Sequence, residues 1–541
     1  MFVFISCVSE SLHVTPDNAD EQLRNVYDYI IVGGGTAGLT IANRLSENPA
    51  VSVLVLDAGL LPVPGKIGSG GWQKYQWGLT TEPQTYLNNP KVGIPQGKAV
   101  GGSSILNGLC WSRCSVSDYD GWEKLGKSEK FTFNVEPHNA QELHIRPQSA
   151  AHGYNGSVHV SYPQTANVLE GFAQLGLPVI GDLNNGTAAG AMILPSSMQP
   201  DNQTRFDARE AHFNSASRRY NLHIATNQTV TRLVLDSNSA HNSSRRVMGV
   251  EFAPRNKSKA RSISCTREVI VSAGAIFTPT LLQVSGIEPS DVLKSLDILV
   301  KIDLPGVGCN LQDHSMVYAN YYYRNESYFR SNEIADGVYD EAAEEYIRNR
   351  TGPWTAPLIN TIAFPSLRSA TDDWKQFMNK SSGDGIPSNT PNSGQLTVAA
   401  QKTFSLVTVR PSSSSIFDLP KLDPRYCSDP IDCEIIVLGL QMNTKLIQTN
   451  AMKELMPEAN RWTAAMMPLE LGGVADPELK VYDTCNLRIA DASIMPLIPS
   501  AHLQASVYGI AEKAADMIKS AKLDCRIGER LPFPPRSRPA I

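Results

Sequence analysis

The sequence predicts an α/β protein, and three features of one stretch predict it. Residues Tyr27–Gly59 read as an apolar strand, a glycine turn, a helix and a second strand ending on an acid. Gly33, Gly35 and Gly38 fill G-x-G-x-x-G directly after the strand YDYIIV. Asp57 stands nineteen residues beyond the last glycine, at the tip of VLVL. Each part has a physical task. Gly33 allows the tight exit from the strand, Gly35 lets the backbone approach a pyrophosphate, and Gly38 lets the helix pack on the sheet. The helix N-terminus faces the phosphate charge, and Asp57 can accept hydrogen bonds from a ribose diol. A glycine triplet alone arises by chance in flexible loops. Here strand, helix, second strand and acid stand in the required order, so a Rossmann-like domain that binds a dinucleotide is expected.

The chain has 541 residues, room for roughly two to four domains of about 150 residues. At 42% apolar and 19% charged it can build an ordinary core. A formal charge of −5 gives no basic footprint, so no nucleic-acid partner is expected. No apolar run approaches the roughly 18 residues of a membrane span. The start, MFVFISCV, resembles a shortened signal-peptide core without its basic leader. N-x-[ST] occurs at Asn155, Asn185, Asn202, Asn227, Asn242, Asn256, Asn325, Asn349 and Asn379, outside the N-terminal nucleotide unit. A chain rich in Asn, Ser and Thr gives several by chance. Their spread nonetheless favours a secreted glycoprotein; without a signal at the N-terminus the protein would be cytoplasmic. The nine cysteines have no metal-ligand spacing, so no metal is expected. Cys427 and Cys433 flank a short turn and could form a local disulfide or remain two thiols.

Further elements follow in order. A Gly/Pro-rich stretch, Leu60–Gly71, precedes the glycine-rich GKAVGGSSILNG at Gly97–Gly108. Alternation at Ser157–Ser161 predicts a strand, and Thr165–Gly176 has helical character. LHIAT, TVTRLVLD, VMGVEF and EVIVSAG, between Leu222 and Gly274, read as short strands with polar turns between them. A strand–turn–helix spans Glu268–Val284. Gln312–Lys480 reads as irregular and loop-rich, with Ser/Pro patches at Ser381–Ser393 and Pro411–Ser415. NLRIADASIMPLIP is a strand entering a turn, and AEKAADMIKSAK a helix. The nucleotide elements are thus split among three distant blocks, which implies two interleaved domains.

Four motifs carry a family resemblance. Gly97–Gly108 resembles the first signature of the glucose–methanol–choline (GMC) oxidoreductases, and Gly274–Ile287 the second, with Glu288 where glycine is usual. Leu304–His314, LPGVGCNLQDH, resembles the loop that closes the flavin domain. Asp476–Ile518 resembles the C-terminal block. The details resemble the fungal natural-product branch, which points to a secondary-metabolite substrate. The resemblance implies FAD, held in a discontinuous domain over 24–113, 204–314 and 481–521. It implies a smaller substrate domain on an antiparallel sheet over 114–203 and 315–480, with tails 1–23 and 522–541. By carry-over, Thr36 and Ala37 meet the pyrophosphate, Asp57 and Ala58 the adenosine ribose, and Val230 the adenine. Asn107, Gly108, Leu109 and Cys110 line the isoalloxazine ring. Asp491 and Ala492 hold the ribityl–phosphate end, with Leu503 and Gln504 at the pyrimidine edge.

The implied reaction oxidises a small-molecule alcohol, with oxygen or another acceptor as reoxidant. Alcohol oxidation needs a group for the hydroxyl proton while the carbon-bound hydride departs. His502, in PSAHLQA, matches one of the family's two catalytic positions. His314, in the closing loop, reads as structural. The other family histidine is absent: Met456–Val474 reads MPEANRWTAAMMPLELGGV, with Trp462 in a glycine position. The text is also abridged at Trp122–Phe131 and after Gly59. Weakened turnover is therefore expected, by on the order of 10²–10⁴-fold if the missing histidine is the main base. The alternatives are a non-redox dehydratase/cyclase that keeps FAD as scaffold, and an inactive truncated flavoprotein.

Overall fold

The computed structural model describes residues 12–14, 22–62, 71–115, 117–120, 136–138, 158–161, 167–182, 184, 186, 190–236, 245–255, 260–288, 290–323, 339–351, 361–365, 392–401, 403–405, 408–453, 462–465, 478–481, 484, 486–495 and 498–520. Its principal elements, in chain order, are β1 (Leu12–Val14), β2 (Val26–Val32), α1 (Thr36–Leu45), β3 (Val53–Leu56), β4 (Leu222–Ala225), β5 (Gln228–Leu235), β6 (Val247–Pro254), β7 (Arg261–Val271), α2 (Gly274–Val284), β8 (Asp313–Tyr323), β9 (Asn392–Ala400), α3 (Pro430–Ile447), β10 (Trp462–Ala465), β11 (Leu487–Ile489) and α4 (Leu503–Ser520).

An eight-stranded sheet has the order β1-β4-β3-β2-β7-β6-β5, with β11 also paired to β7. Its β1–β4, β4–β3, β3–β2, β2–β7 and β7–β11 pairs are parallel. The β7–β6 and β6–β5 pairs are antiparallel. Early, middle and late segments of the chain therefore share one sheet. The continuous apolar runs of β2 and β3 follow from burial on both faces. Tyr29, Ile31, Val53, Val55 and Ile270 pack with Leu39 and Ile41 of α1 and Tyr508 and Ala511 of α4. The alternate residues Ile30, Val32, Leu54, Leu56 and Val269 pack with Leu281 and Leu282 of α2. Arg44 clamps α1 to α4 through a two-pronged pair with Glu512, at 2.6 and 2.7 Å.

A second, three-stranded sheet runs β9-β8-β10, antiparallel throughout. Ile436 and Leu440 of α3 pack on its Val317 and Ala400. The segment Gln312–Lys480 is thus more regular than its sequence suggested, holding an eleven-residue strand and an eighteen-residue helix. Local chemistry explains α3: Pro430 opens it, and Asp429 caps it by accepting the Ile431 N–H at 3.0 Å. The terminal helix likewise starts at Leu503 rather than at Ala511. Ser381–Ser393 lies almost wholly outside the described residues, while Pro411–Ser415 lies in the turn between the paired strands Thr408–Arg410 and Lys421–Asp423. Cys427 and Cys433 form a disulfide. Among the described residues no helix is long and apolar enough to cross a membrane.

Glu288 is fully buried at the end of the segment that follows α2. Its Oε1 accepts from Arg410 and from Gln283, both at 2.7 Å, tying α2 to the strand Thr408–Arg410. Burial pushes the carboxyl up to about 7, with Arg410 and Gln283 opposing. A folded value above the unfolded one favours the neutral acid. Its stabilising contribution is complete below about 4.5 and fades as pH rises through about 7. Glu288→Gln is expected to flatten that part of the stability curve. Urea midpoints of both proteins between about pH 4.5 and 7.5 check it; parallel curves would refute it.

Candidate functional site

Two glycine loops meet at the C-terminal edge of the parallel strands. Gly33 leaves β2 at φ +100°, and a Cβ there would stand 2.4 Å from the Ser272 carbonyl oxygen. At Gly38 a Cβ would stand 1.9 Å from the Gly33 oxygen. Gly35 is the N-cap of α1, with no side-chain cap and no acidic residue in the first turn. The first N–H groups of the helix, those of Thr36 and Ala37 included, thus point outward without an anionic partner. A Cβ on Gly35 would meet only the Gly102 Cα, at 3.7 Å, so the ground beside it is open. The second loop lies on the first. Gly101 N–H donates to the Gly34 oxygen at 2.8 Å, and a Cβ on Gly102 would come within 2.8 Å of the Gly35 Cα.

Asp57 follows β3 and joins this crossing. Its two oxygens accept the N–H groups of Gly34 and Gly59, each at 2.7 Å, with Ala58 in the turn between. Burial pushes its carboxyl up, while those two N–H groups and Lys98 pull the other way. The Gln228 N–H donates to the Asp57 backbone carbonyl at 2.9 Å, so β5 starts beside the acid. Val230 lies two residues on, where the β5–β6 register shifts.

The second loop ends in a polar knot. Asn107 donates from Nδ2 to Gln504 Oε1 at 2.7 Å, on the first turn of α4. Asn107 Oδ1 accepts from Leu109 N–H at 3.1 Å and from Arg205 at 2.7 Å. Arg205 also donates to the carbonyls of Ser104 at 3.1 Å and Asn107 at 2.8 Å. Burial pulls its guanidinium down to about 10. Leu109 adopts φ 65°, which turns the chain after Gly108. Cys110 is buried and bridges to Ser196, its thiol pushed up to about 12 by burial. Sequence reasoning singled out Asn107 and Gln504, which the structure bonds to each other, but not Arg205, which lies in no motif.

Asp491 follows β11. Its Oδ2 accepts from the Gly274 N–H at 2.8 Å and the Thr278 hydroxyl at 2.5 Å, and its Oδ1 from the Ser493 N–H at 2.8 Å. The carboxylate is thus committed mainly to protein donors, holding the start of α2 and the turn at Ala492. His502 directly precedes Leu503 and α4. Its backbone N–H and its Nδ1 both meet the Ser112 Oγ, at 3.1 and 2.9 Å.

The turn carrying His502 is clamped along its length. Ile498 N–H donates to Gln312 Oε1 at 3.1 Å. The Pro499 carbonyl accepts from Ala501 N–H at 2.8 Å and from His314 Nε2 at 3.2 Å. Ser500 donates to Asp118 through both N–H and hydroxyl. The closing loop Gln312–His314 therefore buttresses the His502 turn from behind. Protein surrounds both rings, although each residue as a whole is only partly buried. This enclosure pushes both imidazoles down to about 4, and each backbone carbonyl near His314 opposes the shift there. β10, from the segment where the family carries its other histidine, runs beside β8, pairing Ala465 with Asp313. The rest of that segment, 454–461 and 466–477, lies outside the described residues, as does 121–131, where the second abridgement falls.

An uncapped helix N-terminus, two interlocked glycine loops and an acid at the next strand tip define a dinucleotide-binding protein with an imidazole set on a rigid turn. Models of the GMC oxidoreductase N- and C-terminal regions match residues 27–316 and 405–511, so the chain belongs to the GMC oxidoreductase family. It is similar to the dehydrogenase xptC of Emericella nidulans, at 31% identity over 94% of this chain and 95% of that protein. Its structure is similar to an FAD-dependent oxidoreductase from Chaetomium thermophilum, with TM-score 0.81 and 28% identity over 91% of this chain and 99% of that one. A fungal aryl-alcohol oxidase gives TM-score 0.78 and 26% identity over 92% and 99%. The cofactor is FAD. The residues present fit it: the open ground beside Gly35 faces uncapped N–H groups, where a pyrophosphate can be received.

Proposed function

We propose that this protein oxidises an alcohol group of a small, secondary-metabolite-type molecule, with weakened turnover. The observation that carries the reading is the placement of His502 on a clamped turn one residue before α4, whose Gln504 is bonded to Asn107. When bound, FAD supplies the hydride acceptor. The chain's own residues do the rest. The N–H groups of Thr36 and Ala37, reached past Gly33, Gly35 and Gly38, receive the pyrophosphate. Asp57 and Ala58 hold the adenosine ribose, and the backbone of Val230 meets the adenine.

Asn107, Gly108, Leu109 and Cys110 form the wall beside the isoalloxazine ring, kept in place by Arg205. Asp491 fixes the turn whose backbone, with Ala492, meets the ribityl–phosphate end. Leu503 and Gln504 present the positive end of α4, which has no acidic residue in its first turn, to the pyrimidine edge. His502 holds or moves a proton at the substrate oxygen. The similarity to a fungal aryl-alcohol oxidase supports an alcohol donor. The missing first family histidine supports reduced turnover. The same reading assigns 24–113, 204–314 and 481–521 to the FAD domain and 114–203 and 315–480 to the substrate domain.

Anaerobic addition of an aryl alcohol to the purified flavoprotein tests the proposal. Bleaching of the visible flavin bands, with a product two hydrogens lighter, is expected. Flavin that stays oxidised while a substrate loses water would favour dehydratase/cyclase chemistry instead. The electron acceptor, oxygen or another, is read from reoxidation of the bleached protein. We also propose passage through the secretory pathway, supported by the Cys427–Cys433 disulfide and by exposed Asn202 and Asn349 in sequons. A mass drop on enzymatic deglycosylation is expected, and an unchanged mass would oppose it.

A further inference from the structure

We infer that Ser112 is a positioning residue that holds His502 as its Nε2–H tautomer, so that the ring meets the substrate oxygen as a hydrogen-bond donor. The inference rests on the reading of His502 as the imidazole at the reacting end. It selects the partner role for that ring over the role of base.

The geometry turns on one hydroxyl with two contacts to the same residue. Ser112 Oγ lies 3.1 Å from the His502 backbone nitrogen and 2.9 Å from its Nδ1. A hydroxyl has one proton to give and two lone pairs to offer. The backbone N–H can only donate, so it takes one lone pair. Two arrangements remain for Nδ1. If Nδ1–H donates to Oγ, the Ser112 proton needs another acceptor. None exists among the described residues, and Ser112 is 1% exposed, so bulk water does not supply one. If the Ser112 hydroxyl donates to a bare Nδ1, every polar group at the contact is satisfied. Stranding a buried donor lowers the population of the first arrangement by roughly 5- to 150-fold. The ring proton then sits on Nε2.

Nδ1 and Nε2 flank the ring carbon Cε1 and direct their hydrogen bonds well apart, so Nε2–H points away from Ser112. No described residue hydrogen-bonds to it. The turn cannot relax to another arrangement cheaply, because Gln312, His314 and Asp118 hold Ile498, Pro499 and Ser500 in place. Rotating the ring by half a turn would put a carbon against Ser112 and break the contact. A donor at Nε2 binds a substrate oxygen through a lone pair, in the hydroxyl and in the carbonyl form alike. Sequence reading passes over Ser112 because it lies two residues beyond the Asn107–Cys110 stretch and matches no pattern.

Long-range ¹H–¹⁵N correlation on holoenzyme labelled with ¹⁵N-histidine tests this, with His502→Gln to assign the signals. In the wild type, Nε2 is expected to carry the proton and Nδ1 to be bare. Ser112→Thr keeps the hydroxyl and is expected to give the same pattern. Ser112→Ala is expected to shift the balance toward Nδ1–H by at least about fivefold, with the visible flavin spectrum unchanged. Nδ1–H in the wild type would overturn the inference, as would an identical tautomer in all three proteins. Should Ser112→Ala fail to fold, the wild type and Ser112→Thr still decide: Nε2–H in both supports it, and Nδ1–H in either overturns it. These signals report ring nitrogens and not turnover. A failure of the alcohol reading shows instead as absent flavin bleaching.

Discussion

His502→Ala is expected to lower kcat/KM for the alcohol by on the order of 10²–10⁴-fold while the protein keeps its flavin. The size follows from the loss of the one described imidazole that directly precedes α4 and whose Nε2 has no described hydrogen-bond partner. The retention of flavin follows from where the ring is anchored. Its partner is Ser112, whereas the cofactor side of α4 is fixed separately by the Asn107–Gln504 bond and Arg205. The pH profile supplies a second readout. Because enclosure pushes the imidazole down to about 4, the neutral ring is the working form at all higher pH. A ring that donates from Nε2 keeps that proton when Nδ1 is protonated too, so no acid limb is expected near the roughly 6.5 of a free histidine. His314 faces the same region with its own value also pushed to about 4, so it too stays neutral at higher pH. Steady-state rates and anaerobic flavin reduction across pH check both claims. A loss smaller than about tenfold would remove His502 from the chemistry.

The cofactor crevice was legible in the sequence because it is written in local spacing. Gly33, Gly35 and Gly38 are dictated by backbone approaches of one turn, and Asp57 by the end of the next strand. Those constraints act over a few tens of residues. The continuous apolar runs of β2 and β3 likewise announce burial on both faces. What the sequence did not show is carried by contacts between remote segments. Arg205 lies 98 residues from the Asn107 it supports, and Ser112 lies 390 residues from His502. Neither sits in a pattern, since a side chain that braces a carbonyl or a ring nitrogen needs only the right hydroxyl or guanidinium at the right place. α3 escaped notice for a different reason. Its sequence is apolar over most of its circumference and so gives little amphipathic period, though its Asp429-Pro430 start is a readable cap. His314 was read as structural from its motif. Its bond to the Pro499 carbonyl gives it a specific task, the support of the turn that carries His502.

Gly38→Ala is expected to yield a colourless protein of lowered stability, whereas Gly35→Ala should lose flavin affinity with its apo-stability nearly intact. At Gly38 the new methyl would stand 1.9 Å from the Gly33 carbonyl oxygen and 3.1 Å from its carbon. Both are backbone atoms of the strand exit, which is itself pinned by the Gly33 N–H bond to the Leu56 oxygen at 2.8 Å. α1 must therefore move off the sheet, at a cost of about 1–3 kcal/mol or more. That outweighs the roughly 1 kcal/mol that alanine gains over glycine inside a helix. A shifted α1 also carries its first N–H groups away from the phosphate position. Gly35 presents the opposite case, since its methyl would find only the Gly102 Cα, at ordinary contact distance. No protein atom has to yield, but the methyl occupies the ground that a pyrophosphate needs. Thermal unfolding of the two apoproteins, followed by FAD titration, separates the effects. Equal stability loss in both variants would show that the space beside Gly35 serves packing and not the cofactor, and would undo the assignment of the crevice.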